Sequence, residues 1–317
     1  MPAVAAVNMT TPAPANLKAA ASPIVAPIAA QFDISSLFLA DKSARDVAAN
    51  QFASLASTEG PSTLESVGFA DAVIKALADK KSPATREAAA DAVRSLIRGS
   101  AVKALEPIFV PSGIFAALLD AFADKMPAVR TSAVDAVREY ASAMNPWAAA
   151  GIMSPLLHQI KTAGKWQVKT GSLVVLNQLV ASAPVQTAKL MPDIVPVLSE
   201  AIWDTKADVK KAARDSLTKA TALVSNKDIE RFIPALIKAL INPVEEVPNT
   251  IALLSATTFV SEVDSPTLSL MVPLLSRGLS EKLTATKRKV AVYVLYLLRV
   301  NECLTNSLAS LITCLNW

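Results

Sequence analysis

The stretch "IVPVLSEAIWDTKADVKKAARDSLTKATALV", Ile194–Val224, decides the fold. Its first part carries Pro196 within one helical turn of the start, where the missing N–H costs nothing, and continues with apolar residues at helical spacing. From Ala207 it reads as an amphipathic helix on which Lys206, Lys210, Lys211, Arg214 and Lys219 outnumber Asp208 and Asp215. Whether that charge is a site or the wet face of a helix depends on whether the stretch recurs.

It does recur. "IMSPLLHQI" from Ile152, "FIPALIKAL" from Phe232 and "LMVPLLSRGL" from Leu270 repeat the first-helix pattern. Fourteen residues after each Pro comes a second fixed point: Pro155 leads to Lys169, Pro196 to Lys210, Pro234 to Pro248 and Pro273 to Lys287. With Ala in place of Pro, Ala72 leads to Arg86 and Ala116 to Arg130; a weaker first unit centres on Arg45. Along Arg45, Arg86, Arg130, Lys169, Lys210, Pro248 and Lys287 the steps are 38 to 44 residues. Val129, Val168, Val209 and Val247 stand immediately before four of these points. A period near 40 with two helices per unit is the HEAT/armadillo signature, because one hairpin cannot bury its apolar face alone but stacked neighbours can. Asp, Ser or Pro in "DKKSPATRE", "DKMPAVRT" and "DTKADVKK" supply capping chemistry before the second helix. The expected fold is an all-α HEAT-repeat solenoid of about seven helical hairpins, over residues 31–292.

Composition agrees. The 317 residues are 52% hydrophobic but 5% aromatic, so the apolar content is mostly Ala, Leu and Val, which favours helices. Eight Gly are few for an α/β enzyme. Residues 1–30 form an Ala/Pro/Thr-rich leader expected to be disordered, with neither a signal-peptide core nor the Arg of a transit peptide. No apolar run is long enough to span a bilayer; "VAVYVLYLLRV" is short and contains Arg299. Cys303 and Cys314 build no disulfide framework, and a cytoplasmic setting with no membrane partner is the expectation. The net charge of +4 permits an acidic partner such as RNA.

Two readings of the recurring base stay open. Arg86, Arg130, Lys169 and Lys210 can form a structural ladder with carboxylates of the next unit. Alternatively, the clusters at Lys206, Lys210, Lys211 and Arg214, and at Lys287, Arg288 and Lys289 beside Lys282, can form two positive patches along one ridge that meet phosphates as point charges. Trp147, Trp166 and Trp203 fall near helix ends; wedges between repeats are their expected role, a stacking platform for RNA bases the alternative.

Nothing carries a reaction. His158 has no nucleophile motif beside it and is expected to be structural; it is also alone as a metal ligand. "TAGKWQ" puts Trp166 where a phosphate loop needs Ser or Thr, and Gln159 where it needs Gly. No catalytic residue, metal, cofactor or small-molecule substrate is implied.

The run "AIWDTKADVKKAARDSLTKATALVSNKDIERFIPALIKALINPVEEVPNTIALLSATTFVSEVDSPTLSLMVPLLSRGL" and the upstream "AVRTSAVDAVREYASAMNPWA" resemble the N-terminal HEAT domain of fungal translation elongation factor 3, across roughly residues 32–292. The resemblance implies a non-catalytic, ribosome-binding module that touches ribosomal RNA and proteins. The family's full chain continues into two ATP-binding cassettes and uses ATP to help release deacylated tRNA from the exit site. This chain contains neither cassette, and residues 293–317, with both Cys and Trp317, do not resemble the family. An apolar tail in place of a polar capping unit is expected to promote self-association through the C-terminal end. A HEAT adaptor that binds a soluble protein partner is the alternative function.

Overall fold

A chain of second helices, each stacked on the one before, forms the spine. The computed structural model describes residues 32–300 apart from 40, 100, 257–262 and 282. The expectations for residues 1–30 and for 301–317 lie outside the described residues.

Unit 1 is a 3-10 turn, Ile34–Phe38, followed by α1 (Lys42–Glu59), which Asp41 caps by accepting from the Ser43 and Ala44 N–H groups. Short α2 (Pro61–Ser66) leads into unit 2, α3 (Phe69–Leu77) and α4 (Pro83–Arg98). α5 (Val102–Phe109) precedes unit 3, α6 (Ile114–Ala121) and α7 (Pro127–Ala143). A 3-10 turn, Pro146–Ala148, precedes unit 4, α8 (Ala149–Thr162) and α9 (Trp166–Ser182). α10 (Pro184–Lys189) precedes unit 5, α11 (Met191–Ala201) and α12 (Ala207–Thr221). α13 (Lys227–Glu230) precedes unit 6, α14 (Ile233–Ile241) and α15 (Pro243–Ser255). Unit 7 is α16 (Ser265–Ser280) and α17 (Thr284–Val300).

The seven expected units are therefore present, but units 2 to 6 carry a short leading helix or 3-10 turn that the two-helix reading lacks. Its signals are local. Gly60, at φ 84°, ends α1 and donates its N–H to Ala56 O; Pro61 then starts α2 at once. Pro184 does the same for α10, and the Asn145 and Asn226 side chains cap the turns that follow them.

The repeat period is also the period of the core. Counting from the recurring base, the residue seven positions on is Phe52, Val93, Val137, Leu176, Leu217 and Val294, each fully buried. The residue three on is Ala89, Ala133, Ser172, Ala213, Ile251 and Val290, again buried. With Val129, Val168, Val209 and Val247 this makes a stripe of three positions, four residues apart, down one helix face, the pattern of a helix that meets a packed layer. Each large aliphatic in it contributes roughly 1.5–3 kcal/mol by leaving water. Helices α1, α4, α7, α9 and α12 pack successively in this way. Where α9 crosses unit 3 the approach is so close that a Cβ on Gly171 would lie 2.9 Å from both Phe122 and Val134.

Unit 6 departs from the pattern. Pro248 takes the base position inside α15, and Ser255, seven on, is exposed. α12 makes no broad contact with α15; instead α11 packs against α16, bringing the first helices of units 5 and 7 together. The consequence shows in burial. From Gln167 to Val180 no residue of α9 is exposed, whereas on α12 Lys211, Arg214, Asp215, Thr218 and Lys219 all are. α17 runs unbroken through the composition change at Tyr293 and buries Tyr293, Val294 and Leu297. Among the described residues no single helix is long and apolar enough to cross a membrane; α5 and α6 would suffice only together and are bent by 86°.

Candidate nucleic-acid interface

The recurring base divides into paired and unpaired members. Arg86 Nε lies 2.7 Å from Asp124 Oδ2 while its Nη1 donates to the Asp79 carbonyl. Lys169 Nζ lies 2.7 Å from Asp204 Oδ2. In both cases the acid stands six residues before the base of the next unit. A second rung, lower on the helices, joins Arg94 to Asp135 at 3.9 Å and Asn177 to Asp215 at 3.3 Å. Glu139 adds bonds from Arg94 Nε at 2.8 Å and from Arg98.

Between units 3 and 4 the acceptor positions hold Ala163 and Val174. Arg130 accordingly turns back to the Asp124 and Lys125 carbonyls, and Arg138 pairs with Asp135 on its own helix. Between units 5 and 6 they hold Asn242 and Leu253, so no carboxylate awaits α12.

Two of the ladder acids, Asp124 and Asp204, are held below the ordinary carboxylate range. The bond from Lys169, then the Lys206 N–H, holds the Asp204 carboxyl below the usual carboxylate range. Burial pushes the Asp124 carboxyl up, but Arg86 and the Met126 N–H together outweigh it and leave it lowered. The turn Asp is thus less a helix cap than a bracket: Asp79, Asp124 and Asp204 each accept from the backbone N–H two residues on.

Three cations of α12 and Lys206, which immediately precedes it, lie outside this ladder. Lys206, Lys211 and Arg214 are exposed and Lys210 is half-buried. Among the described residues none of their side chains makes an ion pair or hydrogen bond. Lys219 differs, since Asp215 takes it at 2.7 Å. On α17, Lys287, Arg288 and Lys289 are consecutive, exposed and likewise without a described side-chain partner. They sit one turn into the helix, near its positive dipole end, where added cations are disfavoured and a bound anion is stabilised. Lys282 lies outside the described residues. α12 and α17 make no broad contact with each other; units 5 and 7 meet through α11 and α16.

The tryptophans are not wedges. Trp147 is 74% exposed, Trp203 57% and Trp166 37%. Trp166 opens α9 and Trp203 follows the end of α11, so both stand beside the turns that join first to second helices. Lys189 lies over the Trp147 ring, 5.4 Å from its centre. His158 is exposed as well and lines an apolar groove of about 360 Å³ between α8 and α11 with Met153, Leu157 and Pro196.

Fold and site together define an all-helical repeat solenoid of the HEAT class with a cationic face on its fifth unit. Residues 45–217 match the family described as EF3 N-terminal HEAT repeat, and residues 245–303 match Elongation factor 3/GNC1 HEAT repeat. The chain belongs to the elongation factor 3 HEAT-repeat family. It is 51% identical to elongation factor 3 of Mycosarcoma maydis over 247 residues, 78% of this chain and 23% of the relative. Against elongation factor 3A of Saccharomyces cerevisiae it is 42% identical over 227 residues, 71% of this chain and 21% of the relative. The chain therefore spans about a quarter of the length of these relatives and matches only their HEAT region. Among solved structures, a designed armadillo repeat protein, YIII(Dq)4CqI, is similar at 16% identity and a TM-score of 0.36, over 83% of this chain and 97% of that one. Kap121p bound to Pho4p is similar at 14% identity and a TM-score of 0.41, over 86% and 27%.

Proposed function

We propose that this chain is a non-catalytic, ribosome-binding HEAT module of an elongation factor 3-type protein that acts in the cytoplasm. Lys206, Lys210, Lys211 and Arg214 on α12, and Lys287, Arg288 and Lys289 on α17, contact phosphates of ribosomal RNA. Such contacts position without reading sequence and weaken with salt. One observation carries the reading. On α1, α4, α7 and α9 the base at this repeat position is bound by a carboxylate or a carbonyl, whereas Lys210 and its neighbours on α12, like Lys287 on α17, have no described partner. Family membership supports the ribosome as the partner, and ATP-driven release of tRNA from the exit site is the activity proposed for the full-length relatives.

The apolar groove between α8 and α11 favours a second reading, a HEAT adaptor for a soluble protein. Affinity capture on the purified chain separates the two. The proposal expects ribosomal RNA and ribosomal proteins, eluted by salt; one soluble protein that survives high salt would favour the adaptor.

A further inference from the structure

The turns that join first to second helices in units 2 to 5 form a continuous edge. A groove bounded by Asp79, Lys80, Asp124 and Lys125 joins turns 2 and 3. Lys165 Nζ donates to the Ala123 carbonyl at 2.7 Å, joining turns 3 and 4, and the Lys169–Asp204 pair joins 4 and 5. At the 8–10 Å spacing of packed helices, the edge is about 25–30 Å long.

Its charge is mainly positive, the Asp79 carboxylate, which accepts from the Lys81 N–H, being the exception. Asp124 and Asp204 are consumed by Arg86 and Lys169 and by backbone N–H groups, while Lys80, Lys125, Lys165 and Lys206 are exposed and none meets a carboxylate among the described residues. Lys165 bonds only a neutral carbonyl, so its charge remains. Between these lysines stand the exposed rings of Trp166 and Trp203. Beside Trp203 a cleft of about 400 Å³ opens, lined also by Pro243, Pro273, Glu200, which Lys161 approaches at 3.8 Å, and the exposed Arg277. It has room for a planar base with its phosphate toward Arg277.

We propose that this edge binds unpaired RNA, with bases stacked on Trp166 and Trp203 and phosphates on the turn lysines. Lysines interleaved with flat aromatic faces suit single-stranded nucleic acid, whereas a duplex keeps its base faces hidden. The inference rests on the proposed RNA partner but assigns a surface separate from α17 and sharing only Lys206 with the α12 cluster.

The test is titration of the full chain with a fluorescein-labelled 12-nucleotide oligouridylate, affinity read by the label's anisotropy and stacking by tryptophan emission of the unmodified chain, beside a uridine–adenine duplex and polyglutamate of matched charge. The edge expects quenching by the single strand alone. Trp166→Leu/Trp203→Leu should then lose affinity about tenfold or more with an unchanged salt slope, and an unchanged melting curve shows that the variant folds. Equal binding by the tryptophan variant, or equal quenching by duplex or polyglutamate, overturns the edge. Lys210→Glu/Lys211→Glu/Arg214→Glu, assayed for ribosome pelleting in parallel, separates the failures. If pelleting depends on that variant while the tryptophans do not matter, only the edge falls; if the tryptophans govern oligonucleotide binding and nothing pellets, only the ribosome reading falls.

Discussion

Arg86 and Asp124, 38 residues apart in sequence, meet at 2.7 Å across the boundary between units 2 and 3, each side chain only 12% exposed. The same relation recurs between Lys169 and Asp204. It fails where Lys80, Ala163 and Asn242 stand in place of the acid: Arg45 then meets Asp91 and Arg130 turns to two backbone carbonyls, but at Asn242 Lys210 is left on an open helix. A ladder that ends at α12 converts a structural position into a surface charge.

Breaking the first rung should destabilise the fold. Asp124→Ala leaves Arg86 half-buried without its carboxylate, and a loss of about 1–3 kcal/mol is expected from denaturant unfolding. Asp208→Ala, exposed and unpaired among the described residues, should change stability by less than about 0.5 kcal/mol.

Acid should reveal the same pairs. The Asp124 and Asp204 carboxyls titrate lower folded than unfolded. Their contribution is thus full above the unfolded value, about pH 4, and is lost as pH falls through the folded values. Asp124→Asn should flatten the stability curve below about pH 4 and leave the slope above pH 5 unchanged.

The spine should be intolerant at its repeat positions. Leu176→Ala, seven residues after Lys169 and fully buried, should cost about 2–5 kcal/mol. Gly171→Val, forced against Phe122 and Val134, should cost about 1–3 kcal/mol through overpacking. A cost under about 0.5 kcal/mol for either would mean that α7 and α9 are not packed as described.

Self-association has a physical candidate on α17. Val292 and Leu295 are 62% and 61% exposed there, an apolar strip of the kind that seeks cover. At micromolar concentration light scattering should show association that Val292→Lys/Leu295→Lys abolishes. A monodisperse monomer of the unmodified chain would remove the idea.

Much of the fold was legible because one number organises it. The spacing from Pro196 to Lys210 and its copies located the second helices of units 2 to 7, and the Val before the base marked the buried stripe. The short leading helices were not read, since runs such as "PVQTAK" are too brief for periodicity and announce themselves only by Pro or Asn at the start. The tryptophans depart from the wedge expectation for a related reason: size argues for burial, but Trp166 opens α9 and Trp203 follows the end of α11, beside the turns of the repeat. The division of the ladder was legible in principle. Asp124 and Asp204 stand at one fixed offset, and Ala163 and Asn242 break it, but that offset gains meaning only once neighbouring units are seen to place it opposite the preceding base.

The most direct test of the account is the salt dependence of ribosome co-sedimentation for the chain and for Lys210→Glu/Lys211→Glu/Arg214→Glu. The account predicts weaker binding by the variant and a log–log salt slope smaller by roughly 2–3 units, one released counterion for each lost phosphate contact. Identical affinity and slope would contradict it and return those residues to the solvated face of a structural helix.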